Sequence, residues 1–220
     1  MNKILILTSC TSKKAHHPQN LLTIEDFKDK DLLRAREEEL GQYKTKAIDM
    51  YKGLQHTNII EGVDQLRNHN IPVDVAIISA GYGLLLENDL IVPYEVTFNN
   101  MNSTELKEWS SYLNITQDVN ELIKDYDIIF IMLGNKYLKA LDLPLQTNMT
   151  QVIYYFENRK EDAQLFSYPL IGLKGYQFKL LCNHITNDNM NLLESIYNNP
   201  SIIKKILYTF IINPTILSNK

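Results

Sequence analysis

Residues 75–94 read VAIISAGYGLLLENDLIVPY, and the start of this stretch decides the fold. Residues 73–78 are a short, nearly all-apolar, β-branched run, the pattern of a strand buried on both faces. The run stops at Ser79-Ala80-Gly81-Tyr82-Gly83, where two glycines bracket an aromatic residue. The end of a core strand is where α/β proteins place ligand loops. Glycine there lets a ligand approach the backbone closely. The same Gly-x-Gly also describes a tight turn that happens to hold Tyr82. Beyond it, residues 90–94 read as extended up to Pro93, because the residue before a proline is pushed out of the helical region.

Two more runs of the same kind lie outward from this one. Residues 3–7 (KILIL) open the chain, and residues 127–133 (DIIFIML) form a third buried strand, with a fourth candidate at 150–156. The segments between them are helical in pattern. One helix is expected over 24–40, ended by Gly41, and another over 43–54. A third, over 58–69, has Ile59, Val63 and Leu66 on one face. Asn102 with Glu105 three residues on predicts a capping box. Short helices are expected at 118–124 and 138–141. A charged loop at 157–164 and a short apolar segment at 168–172 precede helices at 174–183, 187–197 and 201–211. Alternating strands and helices predict an α/β fold: a mostly parallel central sheet flanked by helices, with a helical C-terminal extension. The expected division is one α/β domain over 1–185 and an extension over 186–220.

The 220 residues, 45% hydrophobic, suffice for one such core. A net charge of −4 gives no whole-chain attraction to nucleic acid, although 22 Lys and Arg can supply a local basic patch. Two cysteines and no leader pattern point to free thiols in a reducing cytoplasm. No apolar run approaches the ~18–20 residues of a membrane span, so no membrane partner is expected. Composition sets no oligomeric state.

In a parallel sheet the ends of the runs at 3–7, 73–78 and 127–133 share one edge, which gathers three loops into one cleft. The first is Ser9-Cys10-Thr11-Ser12-Lys13-Lys14, either an anion cradle of hydroxyls, N–H groups and ammonium groups or a polar loop with solvated lysines. The second is residues 79–83. The third is Gly134-Asn135-Lys136-Tyr137, where a strand enters a helix and backbone N–H groups can hold an anion. Cys10 is the candidate nucleophile, its thiolate favoured by Lys13 or Lys14, or else a packed and inert thiol. Tyr82 and Tyr94 are candidates to stack on a base, or core residues. Lys13, Lys14 and Lys136 are candidate phosphate ligands. Asp89, named as a catalytic candidate, and Glu95 are the nearest acid/base groups by position. His16 and His17 lack any Cys/His spacing that supports a metal. No metal or cofactor is expected.

Several short motifs, taken in order, carry a resemblance. They are the opening Ser-Cys-x-x-Lys-Lys, Ala47-x-x-x-Tyr51-x-Gly53, Ser79-Ala80-x-Tyr82-Gly83-Leu84-Leu85, Ile91-x-Pro93-Tyr94 and Leu133-Gly134-x-x-Tyr137. They resemble a family of small uncharacterised bacterial and phage proteins, and the pattern is similar to the bacterial peroxide-stress YaaA family. The opening motif also looks like the start of the base-modifying domain of archaeosine synthase. The resemblance implies a compact α/β fold, a link to DNA binding and oxidative stress, and a nucleobase-recognising pocket. It adds Tyr51 to the candidate ligand-binding residues Ser9, Ser12, Ser79, Gly81, Gly83, Gly134, Asn135 and Tyr137. Two functions follow as expectations. One is a nucleotide- or nucleobase-binding enzyme acting on a base or its glycosidic bond. The other is a non-catalytic DNA-binding protein of stress response or phage defence. Nucleotide, DNA or RNA is the partner in either case.

Overall fold

A computed structural model describes residues 2–156, 174–187, 191–199 and 202. In chain order the first elements are β1 (Ile4–Ser9), α1 (Ile24–Lys28), α2 (Lys30–Glu39), β2 (Thr45–Lys46), α3 (Ala47–Met50) and α4 (Leu54–Asn68). Then come β3 (Val73–Ser79), β4 (Gly83–Leu86), β5 (Leu90–Ile91), α5 (Ser103–Tyr112) and α6 (Ile115–Leu122). The last are β6 (Ile128–Ile131), α7 (Asn135–Lys139), β7 (Val152–Tyr155), α8 (Lys174–Asn187) and α9 (Asn191–Asn198). The segment 157–164, the segment 168–172 and, apart from residue 202, the helix expected over 201–211 lie outside the described residues.

Five strands form one sheet in the order β4-β3-β1-β6-β7. β1 pairs in parallel with β3, Ile4 opposite Val73, and with β6, Ile4 opposite Ile128; β6 pairs in parallel with β7. The three buried runs are therefore parallel neighbours, as their unbroken apolar pattern requires when helices cover both faces. The fold is α/β, with a mostly parallel central sheet, surrounding helices and a helical C-terminal segment in α8 and α9.

β4 is the exception. It runs antiparallel to β3, with Ser79 opposite Gly83, so residues 80–82 form a tight hairpin turn. Gly83 sits at φ 76, and a Cβ there would also come 2.9 Å from the Leu113 carbonyl oxygen. Both conditions exclude a side chain at low cost. The space outside Gly81 is filled by the Phe27 ring, 2.7 Å from where a Cβ would stand.

Two expected helices come out differently. The helix over 24–40 breaks at Asp29, whose carboxylate accepts from the N–H groups of Asp31 and Leu32 at 2.9 and 3.1 Å and so starts α2 afresh. The helix over 43–54 is replaced by β2, the single turn α3 and an extended Tyr51. Here long-range backbone bonds override local propensity: Ala47 N–H to Asp89 O (2.8 Å), Ile48 N–H to Glu87 O (3.0 Å) and Lys52 N–H to Lys13 O (2.9 Å). The capping box at Asn102 and Glu105 forms at the start of α5.

α4 and α8 lie against each other. Gly175 of α8 meets the Gln55 carbonyl in the first turn of α4 with no room for a Cβ, and Lys179 pairs with Glu61. The Phe130 ring of β6 stacks on Tyr154 of β7 and meets Phe178 of α8 edge-on at 5.6 Å, which fixes this helix pair to the sheet.

Candidate functional site

Among the parallel strands the chain starts at β1, moves to β3 on one side, then returns across β1 to β6 on the other. Connections depart in opposite directions at such a switch point and leave a crevice outside the carboxyl ends of the strands. A cavity of ≈ 600 Å³ lies there. β1 leads into it directly: Cys10 N–H continues the ladder to Ile78 O at 2.9 Å, and the following loop curls against residues 50–53. Ala15 N–H donates to Met50 O at 2.8 Å, and Lys14 and Tyr51 form a bridge. Thr11 Oγ1 donates to Lys13 O (2.8 Å) and accepts from Gly53 N–H (3.2 Å), joining the loop to the start of α4.

Five lining residues are buried: Val96 and, at the inner end of the cavity, Cys10, Lys14, Tyr94 and Tyr137. The Cys10 thiol and the Tyr137 hydroxyl share a hydrogen bond of 3.0 Å. The Lys14 ammonium lies 4.4 Å from the centroid of the Tyr94 ring, a cation–π contact. Tyr94 Oη accepts from Ser79 Oγ at 2.7 Å and lies 2.8 Å from Tyr51 Oη. Ser79 Oγ in turn accepts from the N–H groups of Gly81 and Tyr82 at 3.2 and 3.0 Å. The exposed mouth carries Ser12, His17, Glu95, Asn99 and Asn100.

Burial, and after it the neighbouring Cys10, pushes the phenols of Tyr51, Tyr94 and Tyr137 above the usual tyrosine range. Burial disfavours the charged form, so all three are neutral O–H groups. Burial pulls Lys14 below the usual lysine range, opposed by Cys10 and Glu95. The inner end thus combines a thiol, an ammonium group and neutral hydroxyl donors, each largely buried. Such a set can attack an electrophilic carbon and stabilise the negative charge that develops.

Of the residues named from the sequence, Ser9, Cys10, Ser12, Lys14, Tyr94, Gly134 and Tyr137 line this one cavity. Tyr51 and Ser79 stand behind Tyr94 and reach the site through its hydroxyl. Gly81, Tyr82 and Gly83 form the hairpin turn; the Tyr82 ring meets Phe27 and Tyr94 edge-on, and its hydroxyl accepts from Val92 N–H at 3.3 Å. Lys13 is exposed beside the loop, and Asn135 is exposed at the start of α7. Lys136 donates to Met101 O at 2.6 Å. Asp89 closes the turn after β4, accepting from Leu86 N–H at 2.7 Å. The cavity also takes in Thr11 of the first loop, and it draws in Gln55, Thr97, Asn99 and Asn100, which no motif marked. Among the described residues no group of three His, Cys, Asp or Glu gathers to hold a metal. No helix among them is long and apolar enough to cross a membrane.

A family model described as a family of unknown function (DUF6884) matches residues 37–168, more than half of the 220. The chain belongs to this family. The span matched to DUF6884 contains Tyr51, Gln55, Ser79, Tyr94 and Tyr137, and it begins after Cys10 and Lys14. A comparison with curated proteins found no match.

Proposed function

We propose that this protein is an enzyme that binds a nucleobase or nucleotide in the switch-point cavity and acts on the base or its glycosidic bond. The observation that carries this reading is the buried Cys10 thiol, bonded to Tyr137 and flanked by Lys14 and Tyr94, in a cavity whose mouth carries amides and a carboxylate. Amide and carboxylate side chains match the donor and acceptor edges of a base. The thiol is the group able to form a covalent bond with an electrophilic ring carbon. In that step the S–C bond forms, a ring π bond opens onto nitrogen, and the thiol proton passes by way of the Tyr137 hydroxyl to that nitrogen. The likeness of the opening motif to a base-modifying domain favours the same substrate class. Two free cysteines, Cys10 and Cys182, suit a reducing, cytoplasmic setting.

The test is a thermal-shift and calorimetric screen of bases, nucleosides and nucleotides, followed by Cys10→Ala. The reading expects at least one such ligand to bind both forms and only the unsubstituted protein to convert it. Absence of binding by every member of the panel to the folded protein overturns it. Binding of duplex DNA that is indifferent to Cys10→Ala and Lys14→Met points instead to a non-catalytic DNA-binding role.

A further inference from the structure

Lys14 is only 9% exposed, and its side chain lines the cavity. The face of Tyr94 is beside its ammonium, but among the described residues no hydrogen-bond acceptor or carboxylate pairs with it. An ammonium group carries three donors, and removing it from water without an anionic partner costs several kcal/mol. The ring face offsets only part of that. The other two lysines named from the sequence are elsewhere: Lys13 is exposed outside the lining, and Lys136 is bonded to Met101 O. Among the described residues, Lys14 is the single lysine or arginine of the wall.

A second feature of the same wall points the same way. The fifteen-residue helix α4 begins at Gly53, whose missing side chain leaves the helix without a side-chain cap. Its first intrahelical bond is Thr57 N–H to Gly53 O, so the N–H groups of residues 54–56 precede the ladder. Gln55, in that first turn, lines the cavity, with its side-chain amide fixed to Met132 O at 2.9 Å. Uncapped N–H groups at the positive end of a helix favour an anion. The hydroxyl of Thr11 stands between this turn and the Lys14 loop. The one carboxylate of the wall among the described residues, Glu95, is at the exposed mouth. The cavity is therefore polarised, cationic within and anionic at its entrance.

We infer that Lys14 and the first turn of α4 form an anion subsite that takes the phosphate of the ligand, so that the substrate is a nucleoside monophosphate or a larger phosphate ester rather than a free base or nucleoside. The phosphate part stands on the cavity alone; the nucleoside part rests on the function proposed above. Phosphate supplies the contact partner Lys14 lacks, Glu95 acting on it only from the mouth, and accepts from the N–H groups α4 leaves open. The carboxylate at the mouth repels a second phosphate there and admits the donor edge of a base.

Calorimetry with inorganic phosphate, ribonucleoside 5′-monophosphates and the matching nucleosides tests this, on the unsubstituted protein and on Lys14→Met. On the unsubstituted protein a monophosphate is expected to bind at least about tenfold more tightly than its nucleoside. Lys14→Met, which keeps the aliphatic stem, is expected to weaken monophosphate and inorganic phosphate about 10- to 100-fold, the loss of one charge-assisted bond, and to leave nucleoside affinity within about threefold. The comparison on the unsubstituted protein needs no variant and stands if Lys14→Met fails to fold. Equal affinity for nucleoside and monophosphate overturns the subsite and leaves the base-binding reading intact. Phosphate binding that depends on Lys14, with no nucleoside or nucleotide bound, supports the subsite and removes the nucleobase. Binding of neither phosphate nor monophosphate overturns it.

Discussion

Tyr94→Phe deletes one oxygen from the centre of the buried network and tests it most directly. Tyr51 and Tyr94 are each 1% exposed and Ser79 is 0% exposed. The deleted hydroxyl accepts from Ser79 at 2.7 Å and shares a 2.8 Å bond with Tyr51. Ser79 keeps its two incoming N–H bonds and loses an acceptor; Tyr51 loses its 2.8 Å bond to Tyr94. Each buried group left without a partner costs about 1–3 kcal/mol, so the change is expected to destabilise the fold by about 2–6 kcal/mol. The phenyl ring stays, and with it the Lys14 contact and the Phe27 edge, so little packing is lost. Tyr51→Phe leaves Tyr94 its Ser79 bond and is expected to cost about 1 kcal/mol. The double variant is expected to cost less than the sum by about 1 kcal/mol, because residues that share a bond do not act independently. Urea unfolding with an unchanged m-value is the measurement. Tyr94→Phe within about 0.5 kcal/mol of the parent, or a strictly additive pair, refutes the reasoning.

Gly83→Ala is expected to lose about 2–3 kcal/mol in the same assay, since φ 76 is unfavourable for alanine and its Cβ would press on the Leu113 carbonyl; a neutral result contradicts the hairpin geometry. Asn102→Ala removes the acceptor for the Thr104 and Glu105 N–H groups and is expected to cost about 1 kcal/mol, with Asn102→Asp costing less. His56 is held below its ordinary value of 6.5 by burial, with the Lys52 charge adding and the Ile48 carbonyl bond opposing. The native state therefore resists protonation while the unfolded chain accepts a proton below that pH. This contribution is fully present above pH 6.5 and falls away as the pH drops beneath it. Unfolding midpoints across that window are expected to slope less in His56→Gln, which keeps a donor for Ile48 O, and an unchanged slope removes His56 as the source.

Three of the parallel strands, β1, β3 and β6, were legible because burial on both faces leaves no polar alternation, as in KILIL and in the run from Val75 to Ile78. The segment 43–54 was not, because its backbone bonds go to residues 13, 87 and 89, and periodicity carries no record of distant partners. The site was legible in part for a related reason. Cys10 and Tyr137 follow core strands, and Tyr94 follows an extended stretch. Gln55, Asn99 and Asn100 arrive from elements whose local pattern says nothing about the cavity. Two adjacent lysines show how fine the division is. In the bridge with Tyr51 the chain is extended, successive side chains alternate in direction, and Lys14 is buried while Lys13 remains in solvent. A Gly-x-Gly after a strand signals that something comes close to the backbone; at Gly81 that something is the Phe27 ring.

The contact between Gly175 and the Gln55 carbonyl joins two regions of different standing. The family-matched span ends at residue 168, and α8 begins beyond it. Yet α8 presses on the turn that carries Gln55 of the cavity lining, and Lys174 donates to Leu133 O at 2.6 Å, at the carboxyl end of β6. α8 therefore acts as a doorstop for both walls of the crevice. A bulkier residue at 175 would push the first turn of α4 inward or tilt it away, reshaping the cavity without replacing any lining side chain. A residue outside the matched span thus sets the position of a turn inside it.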